Sequence, residues 1–159
     1  MKDKPTLDTT TPLPENQSPI DGSFPEQKPR KFDTLRELIL SLVPEAKRMK
    51  LYEEAFTHSS YSNEHRDSSS YERLEFLGDG VLDLVVGDLV FRAHKKYTPG
   101  KLSKLRSSIV EGRNLTEIAI KLGFAPYVKF SNGEKKNAQY HGHIFEDVFE
   151  SFIGAMYLD

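Results

Sequence analysis

Beyond the first thirty residues, the hydrophobic positions of this chain recur at helical spacing. Between 35 and 43, leucine, isoleucine and valine return every three or four residues, which is the period of an amphipathic helix. Thr34 and Glu37 stand where a capping box would open that helix. The pattern also predicts a short helix over 51–57 and a long one from about 70 to 95. No stretch alternates apolar and polar residues in the way that predicts a strand.

Three further helices are predicted in the second half of the chain. Thr98 can cap the next one, with Pro99 at its first position, where a missing N–H breaks no helical hydrogen bond. Another opens at Asn114 and ends at Gly123, because glycine favours the left-handed conformation that closes a helix. The last covers about 144–158. The predicted fold is therefore all-α, a bundle of six or seven helices.

The N-terminal segment lacks this periodicity. Six of the nine prolines lie in the first 30 residues, and proline at that density disrupts both helix and sheet. We therefore predict a disordered tail over 1–31 and one folded domain over 32–159. The tail carries no apolar core of the kind that marks a signal peptide.

Composition excludes several kinds of site. The chain has no cysteine, which rules out disulfides and thiolate metal ligands and favours a reducing compartment, predicted here to be the cytoplasm. No apolar run approaches the roughly 20 residues that a membrane span needs, so no membrane partner is expected.

Charge is segregated along the chain, although the net charge is only −2. Six lysines and arginines and no acid lie between Arg92 and Arg106, whereas four acids and no base lie between Ile144 and Asp159. This distribution favours an acidic site beside a basic rim that meets a polyanion. For the basic residues taken singly, a plain solvated surface remains the competing interpretation.

Carboxylates interrupt the most apolar helices of the chain. Four of them share one face of the long helix, at spacings of three, four and four residues: Glu72, Glu75, Asp79 and Asp83. Asp147 and Glu150 share a face of the last helix. Two carboxylates about 5 Å apart repel by about 3 kcal/mol at an effective dielectric constant near 20. Spacing alone leaves two interpretations open: a solvated acidic face, or a site for Mg²⁺ or Mn²⁺, which prefer carboxylate oxygen.

Histidine offers weaker alternatives. His141 and His143 lie two residues apart in a polar loop, a pair that is more often surface than zinc site. His58 is followed by Ser59 and Ser60, but serine beside histidine is common by chance and rarely marks a nucleophile.

Four segments together carry a resemblance to a known family. "ERLEFLGDGVLDLVV" is similar to the signature of the ribonuclease III family, and "EDVFESFIGAMYLD" to its second acidic motif. "YEEAFTHSSYSNEH" and "GKLSKLRSSIVEGRNL" resemble the family's segments upstream of the signature and between the two acidic motifs. The resemblance covers about residues 33–159 and is specific because four motifs occur in order.

The resemblance implies an α-helical endonuclease domain that cuts double-stranded RNA as a homodimer. By position, Glu75, Asp79, Asp147 and Glu150 fall on the family's metal ligands, and Asp79 and Glu150 are the implied catalytic residues. The implied cofactor is Mg²⁺, with Mn²⁺ as a substitute. The implied products carry 5′-phosphate and 3′-hydroxyl ends, and the implied role is processing of rRNA and mRNA precursors.

Further contacts follow from the same resemblance. It places Glu72 near the RNA and Phe76 at the dimer interface. The basic stretch from Arg92 to Arg106 supplies the candidate contacts to RNA phosphates: Lys101, Lys104 and Arg106. A core position is the competing interpretation of Phe76, because its sequence neighbours are apolar.

The chain departs from the family pattern at several points. Gly80 replaces the usual serine or alanine, Tyr71 stands where asparagine is common, and Pro99 stands where many bacterial members have glutamate. Most members continue into a double-stranded-RNA-binding domain; the 159 residues of this chain do not include one, and the apolar end of the last helix favours a piece of a longer protein. The alternative function is a non-catalytic RNA-binding or ribosome-associated protein with the same fold; retention of all four carboxylates favours the enzyme.

Overall fold

The fold was analysed in a computed structural model that describes residues 31–134 and 143–159. Apart from its last residue, the predicted tail lies outside these ranges. The described residues form seven α-helices: α1 (Leu35–Leu42), α2 (Met49–Ala55), α3 (Ser59–Glu64), α4 (Glu72–Ala93), α5 (Pro99–Ile109), α6 (Gly112–Leu122) and α7 (His143–Leu158). The only β-type pairing in these ranges is an isolated bridge between Thr57 and Lys129. The prediction of an all-α fold with six or seven helices is confirmed.

Helix ends follow the predicted signals in three places. The Glu37 N–H donates to the Thr34 hydroxyl at 3.2 Å and the Thr34 N–H donates to the Glu37 carboxylate at 3.2 Å, which completes the capping box. Thr98 caps α5, with Pro99 at its first position. Gly123 closes α6 with a φ of 81°, in the left-handed region that glycine adopts without strain.

Three helices differ from the prediction. α2 covers Met49–Ala55 rather than 51–57. α3 was not predicted, because its six residues are polar and none is buried; it begins where the His58 ring nitrogen Nδ1 accepts the Ser60 N–H at 3.1 Å. α6 begins at Gly112, before Asn114, whose side chain instead donates to the Ser108 carbonyl at 2.6 Å.

The core is organised around α4 and α7. α7 packs along α4 and also contacts α6 and α2, whereas α5 lies against α4. Buried aromatic rings fill the centre, where the Phe124 ring lies 4.9 Å from that of Phe56 and 5.1 Å from that of Phe152. Within the described ranges, no helix is long and apolar enough to cross a membrane.

Two glycines allow α4 and α7 to cross at backbone contact. A Cβ atom at Gly78 would overlap the carbonyl oxygen of Glu150 on α7, and one at Gly154 would overlap the carbonyl oxygen of Leu74 on α4. The two helices therefore approach more closely than any side chain at these positions would permit. This crossing fixes the distance between the two helices that carry the predicted ligands.

Candidate metal centre

The four predicted metal ligands lie on both sides of this crossing. Glu75 and Asp79 occupy successive turns of α4, and Asp147 and Glu150 occupy successive turns of α7. Asp79 is exposed and the other three are partly buried. Since the backbone of Glu150 touches Gly78, which lies between Glu75 and Asp79 along α4, the crossing brings the two acidic faces together.

Burial and mutual repulsion together shift the pKa values of Glu75 and Glu150. Burial, followed by the charges of Asp147 and its other neighbours, raises the pKa of Glu75 to about 7. Burial, followed by the charges of Asp79 and the remaining acids, raises the pKa of Glu150 to about 8. Desolvation and nearby like charges both disfavour the ionised form. Both groups are therefore protonated to a larger extent at neutral pH than a free carboxyl group would be.

Asp147 is held by Tyr71, which stands where asparagine is common in the family that the sequence resembles. The Tyr71 hydroxyl donates to the Asp147 oxygen Oδ2 at 3.1 Å. Burial raises the pKa of Asp147, and this hydrogen bond is the strongest of the influences that lower it. Tyr71 itself is buried, and desolvation together with the charge of Asp147 raises its pKa, so the hydroxyl stays a donor.

A fifth carboxylate, that of Glu146, belongs to the same centre and was missed in the sequence. It acts on both Glu75 and Glu150, and burial raises its own pKa. Its carboxylate packs against Gly112 at the start of α6, so closely that a Cβ there would overlap it. The signal was available, because Glu146 precedes Glu150 by four residues and so shares its helical face.

The carboxylates do not form a ready-made cage. In the part of the chain that the structure describes, no three histidine, aspartate or glutamate side chains stand together as a metal site. Glutamate side chains have the rotamer freedom to change the separation of their carboxylates.

Comparison with known proteins agrees with this architecture. Residues 48–159 match a family model described as ribonuclease-III-like. The chain belongs to the ribonuclease III family. Ribonuclease 3 of Lactobacillus acidophilus is 50% identical over 113 residues, which cover 69% of this chain and 50% of that protein. Ribonuclease 3 of Streptococcus equi subsp. zooepidemicus is 43% identical over 133 residues, covering 82% and 57%. The chain spans about half the length of the curated relatives it matches.

A solved ribonuclease III structure shows the same fold. The nuclease domain of ribonuclease III from Campylobacter jejuni aligns with a TM-score of 0.72 at 38% identity, over 79% of this chain and 85% of that one. That structure is described as flexible in a region involved in dimer formation.

Residues predicted to lie near RNA fall into two groups. Lys101, Lys104 and Glu72 are exposed. Arg106 is only partly exposed and its Nε lies 3.5 Å from the carboxylate of Asp83, so the fourth acid of the long helix pairs with α5. Asp83 therefore stands outside the acidic centre, which its spacing alone did not reveal.

His58, the histidine that offered an alternative catalytic site, caps a helix instead. The Ser60 hydroxyl lies 2.8 Å from Nδ1 of His58, but the same nitrogen also accepts the Ser60 N–H as the cap of α3. This pairing is accounted for by capping. His141, the other member of the possible zinc pair with His143, lies outside the described residues.

The raised pKa values predict how pH affects the stability of the metal-free domain. A carboxyl group with a higher pKa in the folded state stabilises the fold only while it is protonated. For Glu75 and Glu150 this contribution is complete below about 4.5 and is lost as the pH rises through about 7 and about 8. Each pKa unit corresponds to about 1.4 kcal/mol, but both groups are partly exposed and water screens them. In EDTA, we expect the free energy of unfolding to fall by on the order of 2 kcal/mol between about pH 5 and about pH 8.

Urea denaturation at the two pH values measures this change, with two glutamine variants as a matched pair. Glu150→Gln mimics the protonated group and should flatten the pH dependence. Glu53→Gln, on the exposed side of α2, should keep the wild-type dependence. An unchanged pH dependence in Glu150→Gln would contradict the prediction.

Proposed function

We propose that this domain is a Mg²⁺-dependent endoribonuclease that hydrolyses phosphodiester bonds of double-stranded RNA and leaves 5′-phosphate and 3′-hydroxyl ends. Membership of the ribonuclease III family supports the reaction class. The observation that carries the proposal is the α4–α7 crossing: the backbone of Glu150 touches Gly78, which lies between Glu75 and Asp79, so the acidic faces of the two helices meet. We further propose that it processes rRNA and mRNA precursors in the cytoplasm.

Glu75, Asp79, Asp147 and Glu150 are the proposed ligands of the cation. All four offer carboxylate oxygen, the donor that Mg²⁺ and its substitute Mn²⁺ prefer. Burial and then the neighbouring carboxylates raise the pKa values of Glu75 and Glu150, and a bound divalent cation would favour their ionised forms. Binding requires the side chains to turn toward one another, while the helices that carry them are already in contact.

When bound, the cation supplies an activated water and neutralises charge on the phosphoryl oxygens. Asp79 and Glu150 are the proposed catalytic pair, one on each helix. Their separation is set by the glycine crossing rather than by a loop, and rigid elements hold reacting groups more accurately than loops do. The protein's own contribution is thus to orient the carboxylates and to group them where their negative charge would be offset by the cation.

The exposed lysines of α5 are the proposed contact for RNA phosphates. Lys101 and Lys104 are exposed. The Lys101 ammonium lies 5.7 Å from the centre of the Tyr97 ring, a contact that restricts the positions of the lysine side chain. Duplex RNA is recognised mainly through its backbone and 2′-hydroxyls, so we expect little sequence preference. Glu72 is exposed at the start of α4, and we assign it a place near the substrate.

A homodimer is the proposed assembly, and Phe76 its anchor. The Phe76 side chain is 84% exposed, so the interpretation of Phe76 as a core residue is wrong. An apolar groove between α4 and α7 is lined by Val81, Leu82, Val85, Ile153, Met156 and Tyr157. In the proposed dimer, the Phe76 ring of each protomer would enter this groove of the other, which gives a self-complementary two-fold contact. Two acidic centres, one per protomer, would cut the two strands.

The proposed chemistry is tested by Glu150→Ala. We expect wild-type protein to cut long duplex RNA in Mg²⁺ but not in EDTA. Glu150→Ala should lose cleavage while still binding RNA, because it removes a metal ligand but no basic side chain that faces phosphate. Gel assays of cleavage and filter binding measure the two properties on the same duplex. Glu53→Gln should cut as wild type does. Cleavage by Glu150→Ala at the wild-type rate would refute the ligand set.

Lys104→Ala is the complementary variant in the same experiment. It should weaken RNA binding and reduce the slope of log affinity against log salt by up to roughly one, the change expected for one lost phosphate contact. Wild-type protein that binds duplex RNA in Mg²⁺ without cutting it would support the non-catalytic alternative instead.

A further inference from the structure

Tyr71 links the two acidic helices at a point that the proposed chemistry leaves unassigned. Its backbone stands at the start of α4, where its carbonyl accepts the N–H groups of Leu74 and Glu75, both at 2.9 Å. Its own N–H donates to the Thr57 carbonyl at 2.9 Å. The hydroxyl reaches across to the Asp147 oxygen Oδ2 on α7. One residue therefore starts the helix that carries Glu75 and bonds directly to the carboxylate of another proposed ligand.

The position of the Tyr71 hydroxyl is fixed by its surroundings. The residue is only 4% exposed. Its ring meets the His58 ring edge-on, with centroids 5.7 Å apart, and His58 is held at Nδ1 by Ser60. The His58 ring also packs 5.3 Å from that of Phe130. Tyrosine has few rotatable bonds, so a ring held on these sides presents its hydroxyl at one place.

This hydrogen bond restricts the orientation of the Asp147 carboxylate. Oδ2 accepts the Tyr71 hydroxyl at 3.1 Å, so rotation of the carboxylate would break the contact. Groups that hydrogen-bond a ligating side chain orient it before the metal arrives, and their loss typically weakens metal binding by about 10-fold to 100-fold. We propose that Tyr71 is a positioning residue, which presents the Asp147 carboxylate to a divalent cation at the α4–α7 crossing. This inference rests on the proposed function, because it assumes that Asp147 is a ligand.

The chain contains a matched control for the missing hydroxyl. Tyr52 is also buried, and its hydroxyl donates to a carboxylate oxygen, Oδ2 of Asp159, at 3.2 Å. That pair joins α2 to the end of α7 and includes none of the proposed ligands. Tyr71→Phe and Tyr52→Phe therefore each remove one hydrogen bond from a buried tyrosine to a carboxylate and keep the ring that packs in the core.

Calorimetric titration with Mn²⁺ alone, without RNA, is the deciding measurement. We expect Tyr71→Phe to weaken Mn²⁺ binding by about 10-fold or more, and Tyr52→Phe to bind Mn²⁺ as wild type does. In cleavage assays, Tyr71→Phe should need a correspondingly higher Mg²⁺ concentration and regain most of its rate when Mg²⁺ is saturating. Equal Mn²⁺ affinity in wild type and Tyr71→Phe would overturn the proposal.

Two further outcomes separate this inference from the proposed function. Wild-type protein that binds Mn²⁺ but cuts no RNA would refute the nuclease and leave the positioning role standing, whereas wild-type protein that binds no Mn²⁺ would refute both. If Tyr71→Phe does not fold, ring-labelled tyrosine NMR of the wild type gives the same decision. The assigned Tyr71 resonance should shift when Mg²⁺ is added and the Tyr52 resonance should not; an unmoved Tyr71 resonance would overturn the proposal.

Discussion

Replacing Gly78 by alanine should destabilise the domain severely, although the change adds only one methyl group. The new Cβ would overlap the carbonyl oxygen of Glu150 and lie 2.9 Å from the Gly154 nitrogen. Both obstacles are backbone atoms of α7, which cannot turn away as a side chain can. Interiors packed to crystal-like density transmit such a clash, so α4 and α7 must move apart. Overpacking typically costs about 1–3 kcal/mol, and a backbone collision should lie at or above the top of that range.

Gly80 supplies the control within the same helix. A Cβ at this position would meet no atom within 4 Å in the described residues. Alanine is favoured over glycine in a helix interior by about 1 kcal/mol. Gly80→Ala should therefore stabilise the protein, so that two identical changes two residues apart have opposite signs. Urea denaturation followed by circular dichroism measures both, and equal midpoints for wild type and Gly78→Ala would show that the crossing is not as tight as described.

The crossing also connects stability with chemistry. Glu75 and Asp79 flank Gly78, and Glu150 contributes the carbonyl that contacts it. A Gly78→Ala protein that still folds would have its acidic faces farther apart, which weakens both the burial and the repulsion that raise the pKa of Glu75 and Glu150. Gly78 is thus required both for stability and for the acidic centre, because the two helices that carry the carboxylates must meet without a side chain between them.

Local signals made most of the helices predictable. The capping box at Thr34, the proline at the first position of α5 and the left-handed glycine after α6 each depend on residues close together in sequence, and all three appear as expected. α3 lacked such a signal, because its start depends on a histidine cap and its residues contribute nothing to the buried core.

Contacts between distant residues were the part that sequence spacing could not supply. Periodicity placed Asp83 on the same face as the other acids of α4. Whether its carboxylate faces solvent, a metal or Arg106 depends on where α5 packs. Likewise, Tyr71 and Asp147 lie 76 residues apart, so the fold alone brings the hydroxyl to the carboxylate. Gly78 and Gly154 read as ordinary helix residues until the crossing shows what a side chain would strike.

Replacing Phe76 by alanine should separate the proposed dimer without unfolding the protomer. Because the ring is 84% exposed, its loss removes little from the core of one chain. In a two-fold interface the same ring is buried twice. Each truncation of a buried aromatic costs on the order of 3 kcal/mol, so the pair amounts to about 6 kcal/mol, or about four decades in the dimer constant, since 1.4 kcal/mol is tenfold. A nanomolar dimer would become largely monomeric at micromolar concentration.

Sedimentation velocity of wild type and Phe76→Ala at micromolar concentration measures this shift, and circular dichroism confirms that the variant is folded. Phe91→Ala is the matched control: Phe91 is also on α4 and 67% exposed, but lies about 22 Å farther along the helix, at 1.5 Å per residue. It should change the dimer constant little. The proposed ligands all come from one chain, so the Phe76→Ala monomer should still bind Mn²⁺ while losing coordinated cutting of both strands. A folded Phe76→Ala protein that sediments as a dimer would place the interface on another surface.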